Sequence, residues 1–253
     1  MPKVLVENSP VYYTQVGRGR LLLLVHGSGA DHTLWGGQLQ GLKGQFSVGA
    51  LDLNGHGRSP LRPGDDLTSY VADVAGVLAD LGDQTVLAGH SLGSAVALSV
   101  ALEHPELIGG LILIGAGARL RVLPELLQAI ADDFPAAVDS IVKLAFGAAA
   151  REPERRQARD QMLRNGQAAL YRDFSACDRF DLVAQLEQIK APTLVVCGRE
   201  DRLTPIKYAE YLRDHLPDAQ LHIIEKAGHM VMLEAAEPLN RLIASFAGER
   251  DAS

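Results

Sequence analysis

The chain has 253 residues, 47% of them apolar and 22% charged, which suits one large domain with a full core and argues against a disordered chain. Its net charge of −7 argues against a nucleic-acid partner, because neutralising phosphates needs clustered Lys and Arg. A neutral or apolar small molecule is left open. The opening residues MPKVLVENSP lack the apolar core of a signal peptide, and the longest apolar stretch, LIGGLILIGAGA at 107–118, is too short and glycine-rich to span a bilayer. No membrane partner is expected. Cys177 and Cys197 make neither a disulfide framework nor a CxxC pair, so a reduced cytoplasmic setting is expected, with a single disulfide as the alternative.

Taken in order, the sequence predicts strands at 4–6, 11–16, 21–25, 46–52, 85–88, 110–114, 193–197 and 220–224. The first two alternate like an exposed antiparallel edge (VYYTQV). LLLLV, TVLA, LILI and TLVVC are short continuous apolar runs, as strands buried on both faces require. Helical patterns fall between them at 68–81, 94–103, 206–215 and 238–247, with Thr68 as N-cap of the first, Pro105 ending the second and Pro238 in the first turn of the last. This alternation predicts right-handed crossovers and a mostly parallel, doubly wound α/β sheet of about eight strands, covered by helices on both faces. Between 117 and 183 only helical patterns occur (RLRVLPELLQAIADD, AAVDSIVKLAF, EPERRQARDQMLRNGQAALY), and the charge run REPERRQAR reads as a solvated helix face. The organisation is therefore a core of 1–116 and 184–253 with a helical insertion over the sheet's carboxyl edge, where open α/β sheets bind ligands.

Within VLAGHSLGSAVAL at 86–98 a buried strand turns sharply into a small-residue helix around Gly89-His90-Ser91-Leu92-Gly93. Such a corner strains its central residue and exposes its hydroxyl, and the flanking glycines let strand and helix close up. The alternative, a serine that merely caps a helix, is weakened by the strand TVLA before the corner and the helix SAVALSVAL after it. Ser91 would need a base to take its proton and a carboxylate to orient that base. Asp201 follows the strand TLVVC in GREDRLTP, and His229 follows LHII in EKAGHMVMLE, so both emerge at the same edge as Ser91.

Glu200 is the competing acid, while Asp52 in LDLNGHGRS reads as organising its own loop. His90 should point away from the nucleophile. His26 and His56 read as structural, and His104, His215 and His222 as surface or helix-end residues. The turn HGSG at 26–29 offers the backbone N–H of Ser28, which with that of Leu92 would form an oxyanion hole.

HGSG with Trp35 downstream, DLNGHGRS, GHSLGS, GREDRLTP and AGHMVMLEAAEP, in this order, resemble the α/β-hydrolase fold family over nearly the whole chain. The resemblance implies a cofactor-free serine hydrolase with Ser91 as nucleophile, Asp201 as acid, His229 as base and the insertion as a cap. A serine at 91 separates the chain from haloalkane dehalogenases and epoxide hydrolases, which use aspartate there. Leu-Gly-Ser at 92–94 departs from the Met-Gly-Gly that C–C bond hydrolases and enol-lactonases often carry.

The expected activity is hydrolysis of carboxylic esters with small to medium acyl chains, rising through about pH 6–7 as the histidine base becomes neutral. Trp35, Leu123, Leu127, Phe134, Phe146, Phe174, Leu203 and Met230 are apolar candidates for the pocket wall. Alternatives are a lactonase or C–C bond hydrolase of aromatic breakdown, a haloperoxidase-like perhydrolase and a non-catalytic receptor on the same scaffold. No metal is expected, since there is no HExxH and no tight His/Cys cluster. A monomer or homodimer acting on a small ester-like substrate is the expected assembly.

Overall fold

A computed structural model describes residues 1–63, 67–82 and 84–248. Eight strands form one sheet: β1 (Lys3–Val6), β2 (Ser9–Val16), β3 (Leu21–Val25), β4 (Ser47–Leu51), β5 (Thr85–His90), β6 (Ile108–Ile114), β7 (Thr193–Gly198) and β8 (Ala219–Ile224). Their order is β1-β2-β4-β3-β5-β6-β7-β8. β1 pairs antiparallel with β2 and β2 antiparallel with β4; every other pairing is parallel. All eight expected strands are present, and β4, β5 and β7 are buried at every position, as their unbroken apolar runs require.

The core helices are α1 (Gly36–Leu42), α2 (Thr68–Leu81), α3 (Leu92–Glu103), α8 (Ile206–His215), α9 (Val231–Glu234) and α10 (Ala236–Gly248). Alternate residues of each strand feed opposite layers. Leu23, Val25, Leu111 and Leu113 pack with α2, α3 and α8, whereas Leu22, Leu24, Ile112 and Ile114 pack with α1 and α10. Thr68 is the first residue of α2 and Leu67 precedes it as cap, one residue from expectation. α1 is new: its sequence GGQLQGL carries three glycines, which mask the helical pattern. Among the described residues no helix is long and apolar enough to cross a membrane.

Between β6 and β7 lie α4 (Pro124–Asp132), α5 (Phe134–Ala145), α6 (Glu152–Asn165) and α7 (Gln167–Arg179). The last expected helical stretch is thus two helices, parted where the Gly166 N–H closes α6 on the Met162 carbonyl at 3.1 Å. An Arg119–Asp181 bridge and the Leu182 N–H on the Ala118 carbonyl, 2.9 Å, tie the two ends of this insertion together. The REPERRQAR run is only partly a solvated face. Glu154 is buried and accepts from Arg151, and Arg155 donates to the Gly147 carbonyl at 2.7 Å.

Candidate active site

Ser91 sits between β5 and α3 at φ 53°, ψ −116°, a conformation that costs a non-glycine residue about 1–3 kcal/mol. Its N–H donates to the Ile114 carbonyl at 2.9 Å, and Ser94 Oγ donates to the Gly89 carbonyl at 2.7 Å, so the corner is fastened from both sides. A Cβ on Gly89 would lie 2.1 Å from the Gly93 carbonyl oxygen, and one on Gly93 would lie 2.4 Å from that of Val25. Strand and helix therefore cross closer than any methyl group permits.

Parallel pairing from β3 to β8 brings the loops after β5, β7 and β8 to one edge, and Ser91, Asp201 and His229 arrive there together. His229 Nδ1 lies 2.8 Å from Asp201 Oδ2, with both side chains buried. Thr204 Oγ1 donates to the same carboxylate oxygen at 2.8 Å, and the N–H groups of Leu203 and Thr204 donate to Oδ1 at 2.9 and 2.8 Å. Burial opposes ionisation of Asp201, yet His229 and these donors hold its carboxyl below the usual range. A carboxylate acceptor fixes the Nδ1–H tautomer of His229 and leaves Nε2 as a base.

The backbone of His229 is held as well, its N–H by the Ala145 carbonyl at 2.7 Å and its carbonyl by His90 Nε2 at 3.1 Å. The His90 ring packs against that of His229, with ring centroids 4.6 Å apart. Burial and the neighbouring His229 push its pKa well down, so it stays neutral. Sequence reading also missed Gly115, directly after β6. A Cβ there would stand 2.8 Å from His229 Cε1, so the side-chain-poor loop GAGA makes room for the histidine.

Gly27–Ala30 form a turn closed by the Ala30 N–H on the Gly27 carbonyl at 3.2 Å, with Gly29 third at φ 66°. His26 Nδ1 lies 2.9 Å from that carbonyl, while its Nε2 accepts the Leu53 N–H at 3.1 Å. Burial and nearby His56 lower the His26 pKa to about 4, in keeping with a neutral ring that donates once and accepts once. Among the described residues no acceptor is paired with the N–H of Ser28 or of Leu92, and both amides belong to the segments that flank Ser91.

Ser91, Ser28 and His229 open into one cavity of about 320 Å³ beneath the insertion. Of the eight apolar candidates, Leu123, Phe174, Leu203 and Met230 line it. Trp35 and Phe146 are fully buried away from the lining, Phe146 beneath Arg155 of α6, and Leu127 and Phe134 are half-buried away from it. Unforeseen wall residues include Leu126, Ile141, Leu144 and Met162, together with the polar Gln161 and two arginines, Arg121 and Arg202. Glu200 is turned elsewhere, accepting the Ala148 N–H at 2.6 Å. Cys177 and Cys197 are free and buried, and burial pushes both thiols up to about 12.

Beside the site, His56 lies with Nε2 2.9 Å from Asp173 and Nδ1 3.1 Å from the Asn54 carbonyl. Both partners only accept, which requires a doubly protonated ring. Burial opposes that charge, but Asp173 raises the pKa above the ordinary value. A raised folded-state pKa means that His56 stabilises fully below the unfolded histidine value of about 6.5, and that this contribution is lost as pH rises through the folded value. The Tm gap between the protein and His56→Gln is therefore expected to be widest near pH 5.5–6 and to narrow toward pH 9, roughly, in calorimetry across that range. A gap independent of pH would mean a neutral ring.

Among the described residues, Asp31, His32 and Asp52 bring one ligand atom each within 4.8 Å of one another. Their donors are already engaged: Asp31 accepts from the Thr33 N–H at 2.9 Å, and Asp52 accepts from His32 Nδ1 and N–H at 2.8 Å each. Asp52 organises its own loop, as its place in LDLNGHGRS implies.

Residues 22–242 match the alpha/beta hydrolase family. The chain belongs to that family. A 2-hydroxy-6-oxononadienedioate/2-hydroxy-6-oxononatrienedioate hydrolase of Burkholderia vietnamiensis is 31% identical, with 93% of this α/β hydrolase and 90% of the relative covered. A pimeloyl-[acyl-carrier protein] methyl ester esterase of Neisseria meningitidis is 29% identical over 88% of this chain and 91% of its own. Among solved structures, a thermophilic esterase is 36% identical and superposes with a TM-score of 0.89, covering 98% of this chain and 97% of its own.

Proposed function

We propose that this α/β hydrolase cleaves carboxylic esters of small to medium acyl chains through an acyl-enzyme. One observation carries the reading: a strained, outward-facing Ser91 shares a largely apolar cavity with a His229 whose Nδ1 is committed to a buried carboxylate. Ser91 Oγ attacks the ester carbonyl while His229 Nε2 takes its proton, and Asp201 stabilises the imidazolium so formed. Negative charge developing on the carbonyl oxygen is met by the N–H groups of Ser28 and Leu92, with the α3 N-terminus behind them. His229 then passes the proton to the leaving alcohol. A water molecule deprotonated by the same Nε2 releases the acid and restores Ser91.

Chain length follows from the walls. A cavity of about 320 Å³ lies at the lower end of the range for small-molecule sites, and Phe174, Leu203 and Met230 offer apolar contact without a carboxylate at hand. Turnover of p-nitrophenyl esters from acetate to palmitate is expected to peak at short or medium chains and to vanish in Ser91→Ala. A peak at palmitate would refute the size argument, and equal turnover in the variant would refute the nucleophile.

A second reading is favoured by Arg121 and Arg202 in the cavity wall and by the C–C bond hydrolase among the relatives. On that reading the substrate is a carboxylated dienone or a lactone, opened by the same three residues. Dienone and lactone substrates assayed beside the esters separate the two through kcat/KM.

A further inference from the structure

Ester hydrolysis as described leaves one deeply buried carboxylate of the insertion without a task. Asp173 on α7 is fully buried, and all its partners belong to the core. Oδ2 accepts the Gly29 N–H at 2.8 Å and faces His56 Nε2 at 2.9 Å, while Oδ1 accepts the Tyr70 hydroxyl at 2.5 Å. Gly29 follows β3, His56 follows β4 and Tyr70 lies on α2, so one carboxylate joins three separate core segments. Its neighbour Arg172 donates Nε to Tyr70 Oη at 2.8 Å and hydrogen-bonds the Asn54 carbonyl. Although burial opposes its charge, Asp173 stays ionised through His56 and these donors, its pKa held below the usual value.

A buried ion pair of this kind contributes little net stability compared with apolar packing of the same volume. Geometry gives it another use. The Gly29 amide is the peptide unit that links Ser28 to Gly29, so its orientation sets where the Ser28 residue, and hence its own N–H, can point. From the core side the turn is held at Gly27 by His26. From the insertion side Asn165 Nδ2, at the end of α6, donates to the Gly29 and Ala30 carbonyls at 3.0 Å each. The side chains of Leu170 and Met162 close over Gly29, where an added Cβ would lie 2.6 Å from Leu170 Cδ1. The Gly29 N–H itself is taken by Asp173.

We propose that Asp173 is a positioning residue for the oxyanion hole: by holding the Gly29 N–H it fixes the Ser28–Gly29 peptide, so the hole is complete only while the helical insertion is seated on the core. The proposal rests on reading the Ser28 and Leu92 amides as the oxyanion donors. Asp173 never touches the substrate. It acts through the turn, and its loss is felt where charge develops, in kcat, more than in ground-state binding.

The test compares Asp173→Ala, Asp173→Asn and a control, Asp73→Ala, with kcat expressed per Ser91 titrated by a p-nitrophenyl alkylphosphonate. Asp73 is an equally buried carboxylate, paired with Arg62 and the Asn54 N–H, and it makes no hydrogen bond to the Gly27–Ala30 turn. Asp173→Ala is expected to lower kcat per titrated site by on the order of 10², toward the loss seen when an oxyanion donor is removed, with KM little changed. Affinity for a trifluoromethyl ketone, whose adduct places an oxyanion in the hole, should fall by the same factor.

Asp173→Asn keeps an oxygen for Gly29 and can turn its amide toward Tyr70 Oη, so it should recover most of the loss. Asp73→Ala should lose Tm but keep kcat per site. If Asp173→Ala does not fold, Asp173→Leu/His56→Leu, which replaces the pair by apolar volume, carries the same expectation. Wild-type kcat per site in the Ala or Leu variants would overturn the proposal, as would an equal loss in Asp73→Ala. Failure of the phosphonate to titrate the wild-type protein would instead overturn the serine-hydrolase reading beneath it.

Discussion

Ser91→Ala is expected to lower kcat for every ester by about 10⁴–10⁶ while leaving the fold intact. The loss is this large because the thiol among the described residues lining the cavity, Cys177, cannot take over: burial pushes its pKa up to about 12. The fold should tolerate the change, since the Ser91 contacts that fasten the corner come from its backbone N–H and carbonyl. Alanine also relieves nothing, for the φ of 53° is imposed by the crossing of strand and helix.

Asp201→Asn provides the companion result and separates orientation from nucleophilicity. Two backbone N–H groups, of Leu203 and Thr204, point at Oδ1, so an asparagine must place its oxygen there and turn its NH₂ toward His229 Nδ1. That forces Nδ1 to accept and moves the proton to Nε2, where it blocks the base. A fall of about 10⁴ in kcat is expected, with substrate binding and Tm nearly unchanged. Near wild-type turnover would show that His229 does not depend on this tautomer. Stopped-flow measurement of acylation in both variants gives the rates, and far-UV circular dichroism checks the fold.

Much of this arrangement was legible in the residues, and the reasons differ by element. β3, β5 and β7 are buried on both faces, so their unbroken apolar runs could be read directly. Ser91, Asp201 and His229 could be placed because each follows a parallel strand, and parallel strands deliver their carboxyl ends to one edge. α1 was hidden because Gly36, Gly37 and Gly41 carry no pattern, and its position follows from packing against α10.

The cavity wall was the weakest part, since hydrophobicity does not distinguish a core residue from a pocket residue. Trp35 and Phe146 are as apolar as Phe174, yet they are wholly enclosed in the buried apolar cluster. Asp173 was out of reach for another reason. Nothing in YRDFSACDRF distinguishes it from Asp178, and its meaning comes from Gly29, His56 and Tyr70, which only the fold assembles. The hold of His90 on the backbone of His229 was equally hidden, a contact with no local trace.

Gly93→Ala tests the elbow from the side of stability, and competing magnitudes decide its sign. In a helix interior, alanine is favoured over glycine by up to about 1 kcal/mol. At Gly36, the first residue of α1, φ is −53° and an added Cβ meets nothing within 4 Å, so Gly36→Ala is expected to stabilise by roughly 0.5 kcal/mol. Gly93 has the same intrinsic preference but no space. Its Cβ would lie 2.4 Å from the Val25 carbonyl oxygen and 2.6 Å from that of His26, and both atoms are backbone of β3 and the loop that follows.

Neither side can yield. α3 is buried at every residue from Leu92 to Ala101, and β3 is hydrogen-bonded on both sides, to β4 and β5. Overpacking, typically about 1–3 kcal/mol, then outweighs the propensity gain and leaves a net loss of roughly 1–2 kcal/mol. For a domain of this size that corresponds to a fall in Tm of roughly 2–8 °C. Any relief would move Val25 away from the elbow and carry Ser28, three residues on, with it, so the folded fraction of Gly93→Ala should also lose kcat per titrated serine. A Tm at or above that of the wild type would show that β3 and α3 are not in contact at the elbow, and the argument for why Ser91 is flanked by glycine would fail with it.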